Sequence, residues 1–102
     1  MKDLKNKVVL ITGASTGIGA ATAIAFAKNG AKILVNYNSS ESKANEVVST
    51  IKALGGAAYA VQGDASEEND MQKLIDSAIS EFGELNILIN NAGGMIERAK
   101  IE

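Results

Sequence analysis

Residues 8–19 read Val8-Val9-Leu10-Ile11-Thr12-Gly13-Ala14-Ser15-Thr16-Gly17-Ile18-Gly19, a short apolar run that breaks into three glycines and resumes as an Ala-rich stretch. The run predicts a strand. The stretch from about Ile18 to Lys28 predicts a helix, apolar on more than one side and therefore deeply buried. A glycine turn between a strand and a helix has the chemistry of a pyrophosphate site. Gly13 permits the tight exit from the strand, Gly17 lets the backbone approach phosphate oxygens, and Gly19 lets the helix pack closely. The amide groups that open the helix, together with its dipole, then face the anion. The plainer reading of the same residues is a strand-to-helix turn without a ligand.

Outward from this turn the pattern repeats. Ile33-Leu34-Val35, Ala57-Ala58-Tyr59-Ala60-Val61 and Leu85-Asn86-Ile87-Leu88-Ile89 are three further apolar runs. Continuous runs, rather than alternating ones, suit parallel strands buried on both faces. Between them lie two helical periods, Ala44, Val47, Val48, Ile51, Leu54 and Met71, Leu74, Ile75, Ala78, Ile79, Phe82. Gly30, Gly55 and Gly83 follow the three helices as stop residues, and Ser66 before Glu67 and Glu68 reads as an N-cap. Right-handed crossovers then give a Rossmann-like, doubly wound α/β sheet of strand order 3-2-1-4. The order reverses between the first and fourth strands, and ligands of open α/β sheets bind at such a reversal. Thr12-Gly13 and Asn90-Asn91-Ala92-Gly93 stand there.

Composition narrows the function. Apolar residues make up 46% and charged residues 22%, with a net charge of −2. That is the composition of a globular domain, with no basic stripe for nucleic acid and no polybasic run for a membrane surface. The chain has no Cys and no His, which excludes disulfides, thiolate metal sites, thiol nucleophiles and histidine general bases. The start, Met1-Lys2-Asp3-Leu4-Lys5, lacks a signal-peptide pattern, so cytoplasm is the expected location.

The glycine spacing T-G-x-x-x-G-I-G of residues 12–19, Gly63-Asp64-Ala65 after the third strand, and Asn90-Asn91-Ala92-Gly93 after the fourth resemble the short-chain dehydrogenase/reductase family over the whole chain. Val35-Asn36-Tyr37 with Lys43-Ala44-Asn45-Glu46 is most similar to 3-oxoacyl-acyl-carrier-protein reductases and glucose 1-dehydrogenases. The resemblance implies a dinucleotide cofactor. Gly13, Ser15, Thr16, Gly17, Ile18 and Gly19 are then expected at the pyrophosphate, and Asn36, Tyr37, Asn38 and Ser39 near the adenine ribose 2′ position. Asp64 and Ala65 are expected at the adenine, and Asn91, Ala92 and Gly93 at the ribose. Blander roles stand beside these: Asp64 as a helix-capping residue with Glu67, Asn90 and Asn91 as turn residues, Tyr37 and Tyr59 as packing residues. No acid occupies positions 36–40, where a carboxylate would hold a free 2′-hydroxyl. NADP(H) is therefore favoured modestly over NAD(H), although Thr16 stands where many NADP-dependent relatives carry a basic residue. By this reading Asn36→Asp should favour NAD(H).

The resemblance also implies what is lacking. The family's reaction uses a Tyr-x-x-x-Lys pair, in which the Lys lowers the pKa of a general acid/base Tyr. Here Tyr37 is followed four residues later by Glu41, and Tyr59 by Gly63. Residues 1–102 are thus expected to be one partial dinucleotide-binding domain with no catalytic residues, inactive alone. Two rivals are a non-catalytic nucleotide-binding module and a scaffold that only folds and associates. A homo-oligomer is expected, because the fourth strand should be an open apolar edge. The sheet face carrying only the third helix should also leave side chains of the first two strands bare.

Overall fold

The computed structural model describes residues 4–91 and the short strand Ala99–Lys100. Its elements in chain order are β1 (Val8–Thr12), α1 (Gly17–Lys28), β2 (Lys32–Tyr37), α2 (Glu41–Ala53), β3 (Ala57–Gln62), α3 (Glu68–Phe82), β4 (Ile87–Asn90) and β5 (Ala99–Lys100). The sheet order is β3-β2-β1-β4-β5. The first four strands are parallel, with Leu10 opposite both Leu34 and Leu88. The 3-2-1-4 arrangement is therefore present, and α1 and α2 lie on one face with α3 on the other.

Strand alternation sorts the core. Val9, Ile11, Ile33, Val35 and Ala58 pack beneath α1 and α2 against Ala23, Ala27, Ala44, Val47 and Ile51. Val8, Leu10 and Leu34 point the other way, against Leu74 and Ala78 of α3 and Leu85. Gly30, Gly55 and Gly83 all have positive φ, and Gly83 is the left-handed C-cap of α3, as the stop-residue reading requires.

Four expectations are corrected. First, α1 buries one stripe only, Gly19, Ala23 and Ala27; its outer side meets solvent, and its alanines serve helix propensity as much as packing. Second, only β1 and the middle of β2 are buried on both faces, whereas β3 is an edge strand with Tyr59 exposed and β4 is half-buried throughout. Third, the α3 face of the first two strands is not bare. Val8, Leu10 and Leu34 are each 0% exposed, because α3 lies squarely over them. Fourth, β4 is not an unpaired edge: β5 runs antiparallel beside it, pairing Ile87 with Lys100 and Leu88 with Ala99. Among the described residues no helix is long and apolar enough to cross a membrane.

Candidate functional site

The carboxyl ends of the strands meet in a cleft of about 340 Å³ lined by Gly13, Asn36, Asn38, Gly63, Asp64, Ala65, Ser66 and Asn90. The cleft forms where β1 leads toward one face of the sheet and β4 arrives from the other, so its walls come from four connections.

Asn36 holds these walls together. It is 2% exposed, and its Oδ1 accepts the Gly13 N–H at 3.1 Å. Its Nδ2 divides its hydrogens among the carbonyls of Gly63 (3.1 Å), Tyr37 (3.2 Å) and Val61 (3.3 Å). The Ala14 N–H donates to its backbone carbonyl at 2.9 Å. A buried amide that both accepts and donates fixes the glycine turn to the ends of β2 and β3 at once. Direct contact with a 2′ group was expected of Asn36; its side chain is instead committed to the backbone.

On the β4 side, Thr12 Oγ1 donates to Asn90 Oδ1 at 2.9 Å, and Asn91 Nδ2 donates to the Gly13 carbonyl at 3.3 Å. The asparagines thus satisfy strand-end groups, as their blander reading has it. At the base of the same strand pair, Asn86 Oδ1 accepts the Val8 N–H at 2.7 Å and starts the β1–β4 register.

The glycine turn is open at one glycine and closed at another. Gly17 has φ +59°, and no heavy atom lies within 4 Å of where a Cβ would stand. Gly19 is the reverse. A Cβ there would lie 2.7 Å from Asn91 Nδ2 and 3.0 Å from Ala14 Cα, and would run into the Gly13 carbonyl oxygen. Close approach of α1 to the turn therefore requires Gly19, and the open cradle lies at Gly17. Thr16 caps α1 without a side-chain hydrogen bond, and the first turn carries no acid. The amides that open α1 and its dipole thus face the cradle with no side-chain acceptor from the cap and no negative charge from the first turn.

Asp64 forms a tight turn. Its Oδ1 accepts the Ser66 hydroxyl at 2.6 Å and the Ser66 N–H at 3.0 Å, while its own N–H donates to Asp70 Oδ2 at 2.8 Å. The hydroxyl first and the amide second hold the Asp64 carboxyl below its ordinary range, against a smaller opposing effect of desolvation. This corrects the N-cap reading of Ser66: its hydroxyl turns back to Asp64, and Glu67 stands at the N-cap of α3. Tyr37 is raised above its ordinary value, by desolvation first and then by the charge and hydrogen bond of Glu41.

A second groove, of about 330 Å³, runs between the glycine turn and α2. Ser15, Thr16 and Gly17 form one bank, and Lys43, Glu46, Val47 and Thr50 form the other. The cleft thus gathers Gly13, Asn36, Asn38, Asp64 and Ala65, and the groove gathers Ser15, Thr16 and Gly17. Ile18 is 77% exposed at the start of α1; Tyr37 is half-buried and Ser39 exposed, and neither lines the cleft. Ala92 and Gly93 lie outside the described residues. Sequence reasoning missed the Asp64–Ser66–Asp70 turn, whose signal is a side-chain oxygen two residues before an N–H.

Known proteins are similar to this chain in sequence and fold. The family model described as short chain dehydrogenase matches residues 7–102. An uncharacterized oxidoreductase of Methylorubrum extorquens is 49% identical over 102 residues, all of this chain and 41% of that protein. A short chain dehydrogenase from Burkholderia cenocepacia, solved in complex with NADP, matches with a TM-score of 0.80 and 40% identity over 84% of this chain and 35% of that one. A 7α-hydroxysteroid dehydrogenase complexed with NADH and 7-oxo glycochenodeoxycholic acid matches with a TM-score of 0.79 and 42% identity, over 83% of this chain and 33% of that one. The chain therefore spans between one third and about two fifths of the length of these proteins.

Proposed function

The chain belongs to the short-chain dehydrogenase family, and from that premise we propose that it binds a nicotinamide dinucleotide across the carboxyl ends of β1 to β4. One observation carries the reading: the open cradle at Gly17, above an α1 first turn without an acid. Gly13, Ser15, Thr16, Gly17, Ile18 and Gly19 hold the pyrophosphate. Asp64 and Ala65 bound the cleft that takes the adenine, and Asn91, with Ala92 and Gly93, approaches the ribose. Tyr37, Asn38 and Ser39 lie nearest the 2′ region, with Asn36 fixing the turn behind them. The neutral stretch 36–40 supports NADP(H) over NAD(H). Relatives of known structure hold NADP in two cases and NADH in another, so either dinucleotide fits the family.

When bound, the nicotinamide supplies a hydride that a carbonyl carbon accepts, or takes one from an alcohol carbon. The residues of this chain contribute binding and orientation. None of its tyrosines is followed four residues later by a lysine, so the reading is a cofactor-binding portion without its own general acid/base. The rival, a scaffold that folds and associates, gives no dinucleotide signal. Titration followed by NADPH and NADH fluorescence separates the two. Gly17→Ala is the matching control. Its Cβ enters the open cradle, and its positive φ costs roughly 1–2 kcal/mol, so binding should fall at least tenfold while the circular dichroism spectrum stays that of the unaltered chain. Unchanged affinity in Gly17→Ala would place the pyrophosphate elsewhere. A carbonyl reduction assay on the same chain should stay at background.

A further inference from the structure

We infer that Asn29 is a site of spontaneous deamidation, gated by the capped end of α1, and that its conversion loosens the segment leading into β1. Of the asparagines in the chain, only Asn29 is followed by glycine. The reaction needs no enzyme. The Gly30 backbone nitrogen attacks Asn29 Cγ, the bond from Cγ to the side-chain nitrogen breaks, and that nitrogen leaves as ammonia with the Gly30 proton. Water then opens the cyclic imide at either carbonyl, giving aspartate or isoaspartate. A side chain on the following residue crowds this attack, and glycine has none. Asn29 and Gly30 are both exposed. Gly30 lines an open groove of about 510 Å³ with Asn6, Lys28, Lys32 and Leu54, so water has access.

The fold holds the two reacting groups apart. Asn29 Nδ2 donates to the Ala25 carbonyl at 2.9 Å, satisfying one of the last carbonyls of α1. The Gly30 N–H donates to the Ala27 carbonyl at 3.0 Å. With Asn29 at ψ 15°, the Gly30 nitrogen points back over the helix end and away from Asn29 Cγ. Cyclisation therefore waits for the cap to open. Opening breaks both bonds, which leaves roughly a tenth to a hundredth of the molecules open at any moment. The same turn latches the start of the chain. The Asn6 N–H donates to the Gly30 carbonyl at 2.9 Å, and a Cβ at Gly30 would stand 3.0 Å from Lys5 Cα. Asn6 takes a φ of 64° there, the one non-glycine residue of positive φ among those described. Isoaspartate carries its former side-chain methylene in the backbone, so the Gly30 carbonyl moves off the Asn6 N–H. Aspartate loses the donor to Ala25 and sets a negative charge against the carbonyl end of α1.

Peptide mapping by mass spectrometry tests this on the full chain, aged in mildly alkaline buffer with and without urea. Exposed Asn38, followed by Ser39, is the internal reference, because its side chain makes no hydrogen bond among the described residues. In urea Asn29 should convert well ahead of Asn38. In the folded chain Asn29 should still convert, but about tenfold or more slowly than in urea, so that its lead narrows. An equal lead in both conditions would remove the gate. A folded chain that converts at Asn38 and not at Asn29 would remove the site, and either result overturns the inference. In the purified isoaspartyl form, hydrogen exchange at the Asn6 amide should quicken at least about fivefold. An unchanged rate there would overturn the link between Asn29 and the start of β1.

Discussion

At Asn36 the side chain accepts from one N–H and donates to three carbonyls, so only an amide satisfies both sides. An aspartate there keeps the acceptor toward Gly13 but turns a carboxylate oxygen on the carbonyls of Val61 and Gly63. Asn36→Asp should therefore lower stability by about 1–3 kcal/mol, the cost of unsatisfied buried groups, and weaken NADPH and NADH together by loosening the turn. This reverses the expectation drawn from sequence, that the substitution selects NAD(H). The half-buried Tyr37, one residue farther along, is the better place for a selecting carboxylate. Tyr37→Asp should shift the NADH-to-NADPH affinity ratio upward without loss of fold. Thermal unfolding with paired titrations checks both, and an Asn36→Asp protein of unchanged stability and raised NADH affinity would contradict the bracing role. The residue type and spacing put this stretch at a strand end beside the cleft. They did not show which side chain turns inward, because strand ends lack the periodic signal that separates faces in a strand interior.

Elements with strong periodicity were legible, and those resting on pairing or turn chemistry were not. The apolar stripe from Met71 to Phe82 predicts α3, and Leu74 and Ala78 are its buried residues. The same stripe includes Ile79, which is 47% exposed, because a helix on one sheet face buries only its innermost positions. Leu74 is 0% exposed among Val8, Leu10 and Leu34. It also supports the cleft from below: a Cβ at Gly63 would stand 3.1 Å from its Cδ2. Leu74→Ala should therefore cost about 2–5 kcal/mol and weaken adenine-side binding more than Ile79→Ala, which should stay within about 0.5 kcal/mol. Urea unfolding of the two variants, with 5′-AMP titration, reads out both effects; equal destabilisation would mean that α3 does not seat as described. By contrast, β5 has two residues and no hydrophobic pattern, so it is visible only through the strand it pairs with. The Asp64–Ser66 turn resembled a helix cap because both use a Ser hydroxyl near acidic residues, and only geometry tells which group accepts.

For the whole molecule, the sequence argues for self-association from an open β4 edge and a bare face beside α3, and the structure leaves less of each. The face is closed by α3 over β1 and β2, and β5 pairs with Ile87 and Leu88. What remains is β4 itself, where Ile87, Leu88 and Ile89 are all only half-buried, and where β5 pairs with neither Ile89 nor Asn90. Ile18, Leu54, Tyr59 and Ile79 are exposed too, but they belong to four different parts of the chain, and scattered apolar residues need no partner. Three branched residues on a short strand supply a few hundred Å² at most, below the roughly 1,000 Å² of a stable interface. The expected behaviour is weak, reversible association of homo-oligomeric type, with β4 at its centre. Sedimentation velocity should give mainly monomer near 5 μM and a growing faster-moving species toward roughly 200 μM, since an interface of this size gives dissociation constants at the weak end of the range. Ile89→Lys should remove the concentration dependence, because a charge on an apolar edge opposes pairing, without changing the circular dichroism spectrum. A dimer that persists at the lowest concentration, or an association indifferent to Ile89→Lys, would locate the contact on another surface of the molecule.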